Sequence, residues 1–230
     1  MRVFCFFLKD NFDQSRVTTT NAPFAVRFKR SLGGSKMSIN HGIRTLGVLG
    51  AGQMGTGIAL VSALRARVPV LLYDRSTEQV TKGLALMDKL LAKDVAKGRL
   101  SSEEAKEARD KVSVVGSEAG IKGMREVDMV IEVTFLYLIS RTASKMNISN
   151  QAVSESVPLK QSIFASFAAE LKPEAILATN TSSISITKIA ASAMPAGVNS
   201  ASQEGKMSAG RVVGATYVHP GDQLCFNACN

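Results

Sequence analysis

The chain has 230 residues, 45% of them apolar and 20% charged, which suits a globular protein with a core of its own. No apolar run reaches the roughly 18 residues a membrane-spanning helix needs, so no membrane partner is expected. The net charge of +9 does not describe a nucleic-acid surface: residues 1–46 hold eight Lys/Arg and two Asp, so +6 sits there, and no basic stripe interleaved with aromatics follows.

Residues 1–44 form a basic extension, rich in Ser and Thr and without periodicity. Two readings stand side by side. It is a mitochondrial targeting segment, which the Arg and Ser favour and Asp10 and Asp13 oppose, or a disordered tail ahead of a start at Met37. The compartment is accordingly mitochondrial or cytoplasmic. Cys5, Cys225 and Cys229 are too few and too odd in number for a disulfide framework, which fits an intracellular, unsecreted protein. Cys225 and Cys229 with His219 lack a fourth ligand, so no metal is expected.

From residue 45 the pattern turns regular. Thr45 to Leu49 is a short apolar strand, followed at once by Gly50-Ala51-Gly52-Gln53-Met54-Gly55. Thr56 to Ala66 is a helix and Pro69 to Tyr73 a second strand, closed by Asp74. A long helix from Thr77 to about Lys97 carries Val80, Leu84, Met87, Leu90, Leu91 and Val95 at helical spacing. Gly98 stops it, and Ser101 with Glu104 is a capping-box pattern opening another helix to about Lys111. Strands follow at Val112 to Val115 and Val127 to Val133, the latter apolar enough for a buried parallel strand. Next come a helix from Val157 to Leu171, a strand from Ala175 to Ala178, a helix from Ile186 to Ala193 and a strand from Arg211 to Tyr217. The alternation predicts an α/β domain over 45–218, mostly parallel, with helices on both faces of the sheet. An atypical insertion occupies 133–151 and an irregular tail 219–230.

The glycine loop carries the chemistry. Gly50 permits the tight turn, Gly52 a close approach of backbone to a pyrophosphate, and Gly55 close packing of helix on sheet. The N-terminus of the helix that follows offers free N–H groups to phosphate oxygens, and Gln53 and Met54 of the loop are counted with the glycines as cofactor-binding residues. Asp74, about 20 residues on, is placed to accept hydrogen bonds from ribose hydroxyls and to repel a 2′-phosphate. The pattern is that of a Rossmann-type nucleotide-binding unit, and it favours NAD over NADP. A flavin-binding unit and a glycine turn that binds nothing remain as alternatives at this point.

Four stretches together resemble the 3-hydroxyacyl-CoA dehydrogenase family, including its 3-hydroxybutyryl-CoA dehydrogenases. They are residues 46–59 around the glycine loop, Val127-Asp128-Met129-Val130-Ile131-Glu132, the segment 152–164, and Ala178-Thr179-Asn180-Thr181-Ser182-Ser183-Ile184-Ser185-Ile186. The resemblance implies NAD-dependent oxidation of a 3-hydroxyacyl-CoA to the 3-ketoacyl-CoA, in fatty acid β-oxidation or butanoate metabolism. It implies that Ser182 donates a hydrogen bond to substrate and that Glu155 and Lys160 contact the cofactor. It also implies a homodimer built through a C-terminal all-α domain, which this chain is expected to lack.

Two departures set this chain apart. The family's catalytic His falls on Thr216, and a threonine is no base near neutral pH. His219 stands three residues on, about 10 Å away along an extended strand and on its opposite face. Removing 133–151 joins Glu132 to Ala152 and restores a family-like Val-Ile-Glu-Ala-Val-Ser-Glu. The segment is thus expected to be translated intron sequence, bounded by Val and Gln codons that fit GT and CAG, or a genuine surface loop. The chain as written is therefore expected to be inactive. Its alternatives are a catalytically dead NAD-binding or interaction module and another NAD-dependent hydroxy-acid dehydrogenase.

Overall fold

The computed structural model describes residues 3–6, 42–133, 156–181, 184–194, 197–199, 201–218 and 223–228, with side chains placed in all of these but 3–6, 216–218 and 223–228. Within them, short apolar strands alternate with helices because the central strands β2 and β5 bury both faces and each helix only one. The strands are β1 (Val3–Phe6), β2 (Leu46–Leu49), β3 (Val70–Tyr73), β4 (Val112–Val114), β5 (Met129–Glu132), β6 (Ile176–Thr179), β7 (Val212–Val218) and β8 (Gln223–Ala228). They form one eight-stranded sheet in the order β1-β8-β7-β6-β5-β2-β3-β4. The run from β7 to β4 is parallel throughout, while β8 is antiparallel to both β7 and β1. Chain order reverses direction between β2 and β5, the switch point at which open α/β sheets bind ligands.

Alternate residues of each strand face opposite cores. Leu46, Val48, Val70, Leu72, Met129, Ile131 and Ala178 pack on one side, with α1 (Gln53–Val61), α2 (Thr77–Ala96) and α3 (Ser102–Asp110). Leu49, Val130 and Leu177 pack on the other, with α4 (Val157–Glu170), α5 (Ile186–Ala190) and α6 (Gln203–Gly210). The second core is centred on Phe164 and Phe167, whose rings meet edge-on with centroids 5.4 Å apart.

Several elements differ from their sequence reading. α1 begins at Gln53 rather than Thr56, because Gly52 already serves as its N-cap, and it widens into a π turn over Ser62–Ala66 that ends at Arg67 with φ 56. The helix expected to run to Ala193 narrows to a 3-10 turn over Ala191–Ala193. The segment 219–230 is not an irregular tail throughout: Gln223–Ala228 is β8. Its partner on one edge is β7, and Val3–Phe6, inside the extension expected to be disordered or targeting, pairs with its other edge. Such strands owe their existence to cross-strand pairing, which no local window reveals. α6 contains Gly205 and Gly210 and has weak intrinsic propensity, but Ser202 caps it by accepting from Gly205 N at 3.0 Å. The capping box is formed as expected, with Ser101 N donating to Glu104 and Glu104 N donating to Ser101.

The N-terminal edge of the sheet is tied by charge. Asp128, just before β5, accepts from the backbone N–H of Arg44 at 2.7 Å and of Thr45 at 3.1 Å, and from Lys172 Nζ. The Lys172 ammonium holds its carboxyl at about 2, well under the usual carboxylate range, with the two backbone donors adding to the effect. Arg211 Nη1 donates to the carbonyls of Lys172 and Pro173, fastening the start of β7 to the same corner.

Candidate functional site

The glycine loop crosses the C-terminal edge of the sheet at the switch point. Gly50 N donates to Tyr73 O at 2.7 Å, and its φ of 114 is a backbone state only glycine holds without strain. A Cβ on Gly55 would lie 1.8 Å from Gly50 O, so the first turn of α1 sits on the loop at a distance no side chain permits. Gly52 is different: a Cβ there would meet nothing nearer than Gln79 Nε2 at 3.9 Å. Its missing side chain leaves room over the backbone instead of relieving a clash within it. α1 has no side-chain cap and no acid in its first turn, which leaves its leading N–H groups open to an anion. Gln53 and Met54 are exposed beside that opening.

Asp74 ends β3 next to the loop. Its Oδ2 accepts from Ala51 N at 2.8 Å and its Oδ1 from Ser76 N at 2.9 Å. The carboxylate is thereby fixed in one orientation, and each oxygen keeps lone-pair capacity for a further donor. α2 leans on the loop through Gly83, where a Cβ would come within 2.7 Å of Thr56 Oγ1 and 2.8 Å of Ala51 O. Thr56, fully buried, donates to that same Ala51 carbonyl at 3.2 Å. Gly83 was missed in the sequence, although a glycine inside a long helix, unfavourable there by about 1 kcal/mol against alanine, was a signal of close packing.

Across the switch point lies a second feature, of which the sequence reading had assigned Lys160 alone. Glu132 closes β5 and Thr179 closes β6, side by side in register and facing α4. Lys160, on the inner face of α4 with Phe164 and Phe167, donates from Nζ to Glu132 Oε1 at 2.9 Å and Oε2 at 2.7 Å. Thr179 Oγ1 donates to Glu132 Oε2 at 2.7 Å. The Lys160 and Glu132 side chains are 1% and 0% exposed, so the pair is sealed from water. A lysine in the apolar stripe of a helix and a glutamate ending an apolar strand were the available signals.

Of the residues expected from the sequence, Gly50, Gly52, Gln53, Met54, Gly55 and Asp74 come together at the C-terminal edge. Lys160 lies below that edge, on the far side of the switch point. Ser182 and Glu155 lie outside the described residues, as do His219, Cys229 and the insertion from 134 to 151. The backbone at Thr216 is in β7, two positions past Gly214, which pairs with Thr179. Thr216 thus stands at the same edge from which the chain runs on into Asn180 and Thr181. Among the described residues no helix is long and apolar enough to cross a membrane.

The family model described as 3-hydroxyacyl-CoA dehydrogenase, NAD binding domain, matches residues 45–197. A 3-hydroxybutyryl-CoA dehydrogenase of Bradyrhizobium diazoefficiens is 38% identical over 149 residues, covering 65% of this chain and 43% of that protein. The solved structure of 3-hydroxybutyryl-CoA dehydrogenase from Escherichia coli K12 aligns with a TM-score of 0.58 at 31% identity, over 78% of this chain and 30% of the other. That of (S)-3-hydroxybutyryl-CoA dehydrogenase from Ralstonia eutropha aligns with a TM-score of 0.58 at 28% identity, over 78% and 50%. The chain spans less than half the length of the curated relatives it matches.

Proposed function

As the chain belongs to the 3-hydroxyacyl-CoA dehydrogenase family, matched through that family's NAD-binding domain, we propose that it holds NAD at the glycine loop and belongs to the oxidation of 3-hydroxyacyl-CoA to 3-ketoacyl-CoA. The open space over Gly52, at the uncapped start of α1, carries the reading: it is a cradle for a pyrophosphate that a Cβ would fill. Gly50 and Gly55 shape the loop, and Gln53 and Met54 lend it their N–H groups. Asp74 accepts from the adenosine ribose and disfavours a 2′-phosphate. Glu155 and Lys160 serve the nicotinamide end, and Ser182 donates a hydrogen bond to the substrate oxygen. An acyl-CoA is the substrate class. The bound dinucleotide supplies the hydride acceptor. Intracellular placement, mitochondrial or cytoplasmic, is part of the same reading.

Thr216 supports a second statement. Hydride leaves C3 only if the hydroxyl proton is taken up as well, and a threonine hydroxyl does not take it near neutral pH. We infer that the chain as written binds NADH but turns over no acyl-CoA, as a catalytically silent NAD-binding or interaction module would. NADH fluorescence and NADH oxidation with acetoacetyl-CoA test both statements on the full chain and on a version lacking 133–151. Saturable binding without turnover is expected from both proteins. Absence of binding overturns the nucleotide reading. Turnover by the chain as written overturns the inactivity, and His219 would be the first residue to replace.

A further inference from the structure

The buried pair of Glu132 and Lys160 has no evident reason in stability alone. Taking two charges out of water is costly, and apolar residues of similar volume serve a core as well or better. Its location supplies a reason. The glycine loop ends β2, and Asp74 marks the adenosine side over β3. A dinucleotide laid across the switch point therefore extends its other half over the ends of β5 and β6, where Glu132 and Thr179 are the last strand residues. We propose that Glu132 is a positioning residue: through Lys160 Nζ and Thr179 Oγ1 it builds a charge-balanced floor beneath the nicotinamide half of the dinucleotide. The inference rests on the NAD reading above and goes further, assigning a role to Glu132 and Thr179.

The balance matters because the oxidised nicotinamide ring is positive and the reduced ring neutral. A floor in which the Lys160 ammonium is matched by the Glu132 carboxylate treats the two forms evenly. An unmatched ammonium repels the oxidised ring, and an unmatched carboxylate attracts it, both strongly in a water-poor site. Thr179 holds Glu132 Oε2 from the β6 side, so the floor also sets where β6 runs out into Asn180 and Thr181.

The test measures binding of ADP-ribose, NADH and NAD+ to the full chain by calorimetry. Glu132→Gln and Lys160→Met are each assayed against the unmodified protein at the same pH. Expected is a Kd ratio of NAD+ to NADH that rises about threefold or more in Glu132→Gln and falls by a similar factor in Lys160→Met, with ADP-ribose affinity changed by less than about twofold. The neutral double variant Glu132→Gln/Lys160→Met restores the NAD+ to NADH ratio yet binds both dinucleotides more weakly relative to ADP-ribose. A merely structural pair would weaken all three ligands together, without reversal of sign, and that result overturns the proposal. If the single variants do not fold, the double variant decides: dinucleotide selectivity over ADP-ribose equal to that of the unmodified chain overturns the proposal. Failure of the unmodified chain to bind ADP-ribose and NADH refutes the NAD reading itself, a separable result.

Discussion

Asp128 and Glu132 stand at the two ends of the same short strand, and each is paired with a lysine, yet their surroundings differ. Asp128 keeps 14% exposure, draws two backbone N–H donors from the start of β2, and fastens loops at the sheet's N-terminal edge. Glu132 is sealed from water and has its partners on α4 and β6, directly under the edge where the glycine loop lies. The first arrangement is what a stabilising clamp needs, a carboxylate held ionised by donors that outweigh its desolvation. The second is costly to bury and gains its meaning from position. In an open α/β sheet the carboxyl ends of the strands hold ligands, so on the proposed reading the same chemistry serves stability at one end and binding at the other.

Variants at the two ends should separate accordingly. The largest effect is expected at the top: Lys160→Met leaves Glu132 buried without its cation and destabilises the fold by about 3–5 kcal/mol, read by urea denaturation. At the bottom, Asp128→Asn should cost about 2 kcal/mol and leave the NADH Kd unchanged, and altered NADH affinity would erase the contrast. The same group predicts a pH dependence. Its folded pKa of about 2 lies below the ordinary value of 3.8, so its contribution is complete above the latter and is lost as pH falls through the former. The acid limb of the stability curve should flatten in Asp128→Asn over that window.

Gly83→Ala sharpens the comparison from within the nucleotide half. Alanine gains about 1 kcal/mol of helix propensity, but its Cβ must displace the loop carbonyl of Ala51. The clash decides the sign: a net loss of about 1–2 kcal/mol, with weakened NADH binding because the displaced atom belongs to the loop. Ser101→Ala, remote from both ends, should cost about 1 kcal/mol through its cap and leave every ligand affinity alone. Thermal denaturation with NADH titration checks both.

The nucleotide half was legible because its signals are local. Gly50, Gly55 and Asp74 stand at spacings that backbone geometry imposes, and Ser101 with Glu104 forms a cap within one turn of helix. The other half was less so. β8 and β1 depend on each other and on β7 across more than 200 residues of chain. α6 carries two glycines that mask it. Lys160 and Glu132 were named as parts of a resemblance, but their pairing joins residues 28 apart and shows only when α4 is laid on the sheet. Gly83 looked like a flaw in a helix until Ala51 was placed against it.

The most direct measurement is a fluorescence titration of the full chain with NADH and, in parallel, NADPH. Saturable NADH binding, at least about tenfold tighter than NADPH if Asp74 faces the adenosine ribose as proposed, is the predicted result. No saturation with NADH, or equal affinity for the two, would contradict the assignment of the glycine loop and Asp74 to an NAD site.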